Sequence, residues 1–196
     1  MVGALLVGGV LQLSAATAEE KATALFERGR TFEQFLDRVS SQRELWIRNA
    51  AAPTVAPLMV RRLQRVGGAL RLLIVAEDWC PDSVNTVPYI VRLASLADVP
   101  ARIVDRRDGQ AIMQRHRASD GRTVTPVVVL LRGADDVGAW IERPRALQQR
   151  FLGLRANPEE SERFARRQSW YDADRGETTV AEIVALAERT APTGKK

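Results

Sequence analysis

The chain has one cysteine, Cys80, and one histidine, His116. A single cysteine excludes an internal disulfide and a cysteine-rich zinc site. One histidine beside it leaves too few soft ligands for a mixed His/Cys metal centre. Lysine is almost missing as well: Lys21, Lys195 and Lys196 are the only three among 29 basic residues. The arginines that supply the rest are scattered among acids. The net charge of +5 therefore forms no basic stripe with interleaved aromatics, which argues against nucleic-acid recognition and for a generally basic surface. No apolar run reaches the ~20 residues a membrane-spanning helix needs. Nucleophile-elbow motifs are absent, which removes the usual support for Ser-His-Asp chemistry. Asp172 and Asp174 lack the rest of a calcium-loop pattern. His116 sits in Met113–Arg117, which reads as an exposed helix end rather than half of a Cys-His pair. No internal repeat or low-complexity segment is present, and neither a metal nor a resident cofactor is expected.

What is there fits one globular domain with extensions: 196 residues, 45% hydrophobic and 27% charged. Residues 1–18 are apolar and uncharged, densest from Val2 to Leu13, and end in Ala16-Thr17-Ala18 before Glu19. That is the size of a signal-peptide core with an Ala-x-Ala-like cleavage site, although the basic n-region is missing. Export to a periplasmic compartment is the expectation. A cytoplasmic chain with an N-terminal helix is the alternative. No stable membrane insertion is expected.

The chain is organised around Leu72 to Ser83, Leu-Leu-Ile-Val-Ala-Glu-Asp-Trp-Cys-Pro-Asp-Ser. A branched apolar run of this kind suits a strand covered on both faces. Pro81 directly follows Cys80, and proline is favoured in a helix's first turn. An amphipathic segment then runs to about Ala97. The spacing predicts strand, tight turn, helix, with a thiol at the helix N-terminus, where backbone N–H groups favour an anion such as thiolate. Upstream, Glu19–Ala52 reads as helix, with Thr31 and Gln34 forming a capping box, and Val55–Val66 as a further short helix. Downstream, a strand at 101–105, a helix at 108–117, a strand at 127–131, a hairpin into a strand at 137–141 and a helix from Pro144 to about Leu152 follow. A helix starting near Asn157-Pro158, a turn at 172–176 and a closing helix capped by Thr178 or Thr179 end the chain. Glu77 and Asp78 read as solvated turn residues.

This order resembles the thioredoxin superfamily. Trp79-Cys80-Pro81-Asp82-Ser83 stands where that family has Trp-Cys-x-x-Cys. Pro88 falls eight residues after Cys80, like the family's helix-kinking proline, and Thr125-Pro126 opens an apolar strand as its cis-proline does. The block from Ala76 to Cys80 is similar to a bacterial thioredoxin-like group with an Ala-Glu-Asp-Trp-Cys-x-Asp-Cys signature. The resemblance implies a three-layer α/β/α fold with a mixed sheet and additional N- and C-terminal helices. Its parts are a signal segment at 1–18, a helical extension at 19–66, a thioredoxin-like core at 67–152 and a second helical extension at 153–190.

Two departures weigh on function. Ser83 replaces the second cysteine, and Ile74 stands six residues before Cys80, where thioredoxin has a buried aspartate. A dithiol reductase needs a resolving thiol, so the expectation is monothiol exchange. In that reading Cys80 attacks, Ser83 donates a hydrogen bond to it, and Trp79, Pro81, Thr125 and Pro126 line the substrate groove. The partner is a protein disulfide or a small thiol, with glutathione or another small thiol as the co-substrate. The rival reading is a non-catalytic module that binds a partner in the same groove. Oxidation of Cys80 as a sensor or peroxidase-like step ranks lower, and iron–sulfur binding lower still, because Cys-Gly-Phe-Ser is absent. An isolated cysteine is most often a buried small hydrophobe; its place between Trp79 and Pro81 argues otherwise.

Overall fold

The apolar runs form the centre of a four-stranded mixed sheet of order β2-β1-β3-β4. The structure, a computed structural model, describes residues 22–51, 53–67, 69–153 and 159–192. β1 (Leu70–Val75) pairs in parallel with β2 (Ala101–Val104) and antiparallel with β3 (Val127–Arg132). β3 pairs antiparallel with β4 (Asp135–Ile141), with a register shift at Leu130/Leu131. β1 and β3 lack polar alternation because both faces of the sheet are covered.

Side chains alternate between those faces. Leu70, Leu72, Ile74, Val128 and Leu130 join one core cluster. They pack on α5 (Pro81–Leu96), on α9 (Glu177–Arg189) through Val180, Ile183, Val184 and Ala187, and on α3 (Arg43–Ala51) and α4 (Pro57–Val66) through Trp46 and Leu63. Leu73, Val75, Val127, Val129 and Leu131 join the opposite cluster with α1 (residues 22–28) and α6 (Gln110–Arg115). The result is the three-layer α/β/α thioredoxin-like arrangement.

Several local readings change. Glu19–Ala52 is not one helix. Past α1, the Arg30 backbone pairs with Ile103 on β2, exchanging two hydrogen bonds of 2.8 Å. Gly29 permits that approach, since a Cβ there would lie 2.7 Å from the Arg102 Cβ. α2 (Phe32–Leu36) and α3 follow. Thr31 caps α2 in the capping box read from sequence, accepting from the Gln34 N–H at 3.3 Å and donating its own N–H to Gln34 Oε1 at 2.9 Å. α6 begins only at Gln110, because the Asp108 N–H is taken by Asp105 Oδ1 in a side-chain turn. Past α7 (Arg145–Gly153), α8 (Glu160–Asp174) takes in the first three residues of the turn expected at 172–176, and its last two, Arg175 and Gly176, make the break in the left-handed region. Gly176 rather than Thr178 or Thr179 is therefore the N-cap of α9. The signal-like segment 1–18 and Asn157-Pro158 lie outside the described residues.

Candidate active site

β1 leads into the cysteine turn and β3 leads out of the Thr125–Pro126 bond. Because Val75 pairs with Val127, these two loops lie side by side at one end of the sheet. Cys80 is the N-cap of α5, with Pro81 at the first helical position. The Thr125–Pro126 peptide is cis. The Cys80 S–H donates to the Thr125 carbonyl oxygen at 3.1 Å.

The site is more closed than the sequence implied. Cys80 is only 6% exposed, so the expectation that its place between Trp79 and Pro81 keeps it from being buried is corrected. Thr125 and Pro126 are buried as well, and Pro81 is half-buried. Trp79 is the open member of the group, at 51% exposure. Ser83 is fully buried, and its hydroxyl finds no hydrogen-bond partner, so the expected bond to the sulfur is not made. Ile74 packs in the core beside α5. A groove of about 440 Å³ opens next to the turn, lined by Glu77, Trp79, Arg106, Arg107, Met113 and Thr123 among others.

Glu77 and Asp78 are not merely solvated. One Asp78 carboxylate oxygen accepts from the Ser40 and Ser41 N–H groups at 2.9 Å each and from the Ser40 hydroxyl at 3.2 Å. Burial pushes this carboxyl up, and the hydrogen bonds outweigh it to hold it below the usual aspartate range. The Asp78 carbonyl accepts from Trp46 Nε1 at 2.8 Å. Glu77 accepts from the Arg106 N–H at 2.6 Å. Both acids tie the turn to flanking elements. His116 is likewise not a free helix end: its Nε2 lies 2.7 Å from Asp136 Oδ2, and Arg115 Nη1 lies 3.1 Å from the same oxygen.

Sequence reasoning missed the residues beneath the turn. Asp82, two positions past Cys80, is 3% exposed. Its carboxylate meets Arg143 Nη2 at 2.8 Å and Arg167 Nη1 at 3.9 Å, and accepts from the Tyr171 hydroxyl at 2.8 Å. Burial pushes the Asp82 carboxyl up, against the pull of Arg143, Arg167 and the Tyr171 bond. Burial and the neighbouring Asp82 push Tyr171 well above its ordinary value, so it stays a donor. Arg143 also pairs with the buried Glu142, whose backbone N–H donates to the Pro126 carbonyl at 2.8 Å. Asn85, one helical turn along, bonds Asn49 of α3 and Gln168 of α8. The one local signal was an acid in the first turn of a buried helix; its partners lie 61, 85 and 89 residues away in sequence, and no spacing rule reaches that far.

A thioredoxin family model matches residues 29–162. The chain belongs to the thioredoxin family. Two solved structures share its fold. One is a protein of unknown function from Pseudomonas aeruginosa, 22% identical, with a TM-score of 0.67 over 86% of this chain and 98% of that one. The other is an HIV epitope-scaffold, 20% identical, with a TM-score of 0.65 over 85% of this chain and 97% of that one. No curated protein matches. Within the thioredoxin frame, the cysteine turn and the cis-proline loop occupy the end of the sheet where β1 and β3 meet. Among the described residues no helix is long and apolar enough to cross a membrane.

Proposed function

We propose that Cys80 performs monothiol thiol–disulfide exchange. The Cys80 thiolate attacks one sulfur of a substrate disulfide, forming a mixed disulfide and releasing the other sulfur as a thiolate. A second thiol molecule then attacks the mixed disulfide, taking the substrate sulfur into a new disulfide and returning Cys80 as thiolate. The electron balance closes with no resolving cysteine. Substrates are protein disulfides or small-thiol disulfides, with glutathione as a candidate external thiol.

The observation that carries this reading is the meeting of the Cys80 sulfur with the Thr125 carbonyl at 3.1 Å, beside Pro126. An extended peptide pairing with the Thr125 backbone would bring its own sulfur to that point. The exposed Trp79 ring supplies an apolar contact. The N-terminal N–H groups of α5 supply donors toward an anion at its head.

The 6% exposure of Cys80 favours the second reading, a non-catalytic thioredoxin-like module that engages a partner through the same groove. One experiment separates the two. The native chain is incubated with oxidised glutathione, and the adduct is followed by mass. Rapid, stoichiometric addition at Cys80 supports exchange. A thiol inert to both glutathione and alkylating agents until denaturation supports the binding module. The uncharged apolar residues 1–18 support export; an isolated mature chain beginning at Glu19 is the expected result, and an intact Met1 would count against it.

A further inference from the structure

The cluster beneath the cysteine turn is built from three separate elements. Asp82 comes from the first turn of α5, Glu142 and Arg143 from the segment after β4, and Arg167 and Tyr171 from α8. Arg122, in the loop before β3, reaches Glu142 at 3.3 Å and Asp120 at 2.8 Å. The carboxylates of Asp82 and Glu142 are 5% exposed or less, and the Arg143 side chain 9%. Water therefore screens these charges weakly. The cluster also touches both walls of the thiol site. Asp82 shares a helical turn with Cys80, and the Glu142 N–H holds the Pro126 carbonyl. The other acids of the turn, Glu77 and Asp78, are held by Arg106 and by Ser40 and Ser41.

A carboxylate buried in the first turn of the helix that Cys80 caps opposes an anion at that cap unless it is neutralised. Arg143 is the neutralising group. Its Nε is buried without an acceptor, so Asp82 and Glu142 do not saturate the guanidinium. We propose that the buried Asp82–Arg143 pair sets the charge felt by the Cys80 sulfur, making both residues positioning residues for the thiol step. Tyr171 anchors the free side of the Asp82 carboxylate and so ties α8 to that setting. This inference rests on the exchange reading of Cys80.

The test uses sign. Alkylation of Cys80 is followed against pH in the full native chain and in Asp82→Asn, Arg143→Gln and Arg143→Lys, with circular dichroism and melting curves as the check on folding. Asp82→Asn removes the opposing charge, and its profile moves to lower pH. Arg143→Gln leaves Asp82 only the more distant Arg167, 3.9 Å away, and its profile moves to higher pH. Each shift is about one unit, a roughly tenfold change in rate at fixed pH below the plateau. Arg143→Lys restores the charge and returns the profile toward the wild type. Loss of packing alone would shift all three variants one way, and that result overturns the proposal. If Arg143→Gln does not fold, Asp82→Asn decides alone, and an unmoved or upward-moving profile overturns it. If the wild-type chain exchanges with glutathione while all profiles coincide, the electrostatic assignment falls and the exchange reading stands. A native chain that neither alkylates nor exchanges at any pH ends both.

Discussion

Cys80 and Ser83 share one turn of α5, both almost wholly out of solvent, and substitution tests each separately. Cys80→Ser should abolish glutathione adduct formation and any disulfide exchange, measured by mass and by release of the leaving thiol. Ser83→Cys should give a chain with no free thiol after air oxidation, because the second position of the turn already faces the interior where the unpartnered hydroxyl sits. A persistent pair of free thiols there would mean that the two sulfurs do not meet. A different residue reports on pH. Asp136 on β4 has a side chain only 3% exposed. Burial raises its carboxyl, but the bonds and charges of His116 and Arg115 hold it below the ordinary value of 3.8. A depressed carboxyl contributes stability that is present above its unfolded value and is lost as pH falls through the folded one. The melting temperature of wild type should therefore exceed that of Asp136→Asn at neutral pH, with the gap narrowing below pH 3.8. At this scale Cys80, Trp79, Thr125 and Pro126 were readable, because the rare cysteine and tryptophan and the Thr-Pro pair each stand in a local motif. Asp82, Arg143 and Tyr171 were not, because an acid in a helix's first turn looks like any other favourable helix start.

The cysteine turn owes its shape to α3 as much as to α5. Trp46 is fully buried, stacks edge-on with Phe35 at 5.0 Å between ring centres, and donates to the Asp78 carbonyl. Replacing it with alanine removes both the ring and that bond. The expected cost is ~3–5 kcal/mol, as for other large-to-small core changes, read from denaturant melts. The same variant should alkylate faster at Cys80 than the wild type, because the turn loses its anchor. A second element-level test sits at the α8–α9 joint. Gly176 has φ +77°, and a Cβ there would lie 2.2 Å from the Tyr89 ring. Gly176→Ala should destabilise by a few kcal/mol through both backbone strain and overlap, again read from denaturant melts. The helices and strands themselves were legible from apolar period and cap residues. Their ends were less so: the Arg30–Ile103 bridge breaks a pattern that looked continuously helical, since a backbone pairing with a distant strand leaves no local mark.

Across the whole molecule, the helices outside 67–152 do more than extend a core. Val180, Ile183, Val184 and Ala187 of α9 are buried against the same sheet face as α5, and Trp46 and Leu63 complete that cluster. A chain ending before Glu177 would expose this face. At ~1.5–3 kcal/mol for each large apolar side chain returned to water, it should lose its cooperative unfolding transition and bind a hydrophobic dye; a shortened chain that melts sharply would show α9 to be dispensable. The fold class was written in the sequence because two continuous branched runs, a cysteine-proline turn and a Thr-Pro strand start each dictate a local structure by sterics alone. Chain order then leaves few ways to stack them. Which side chains stand under the thiol was decided only by folding. Burial in a low-dielectric interior requires each charge to find a partner wherever the topology places one, and for Asp82 those partners come from two segments far down the chain.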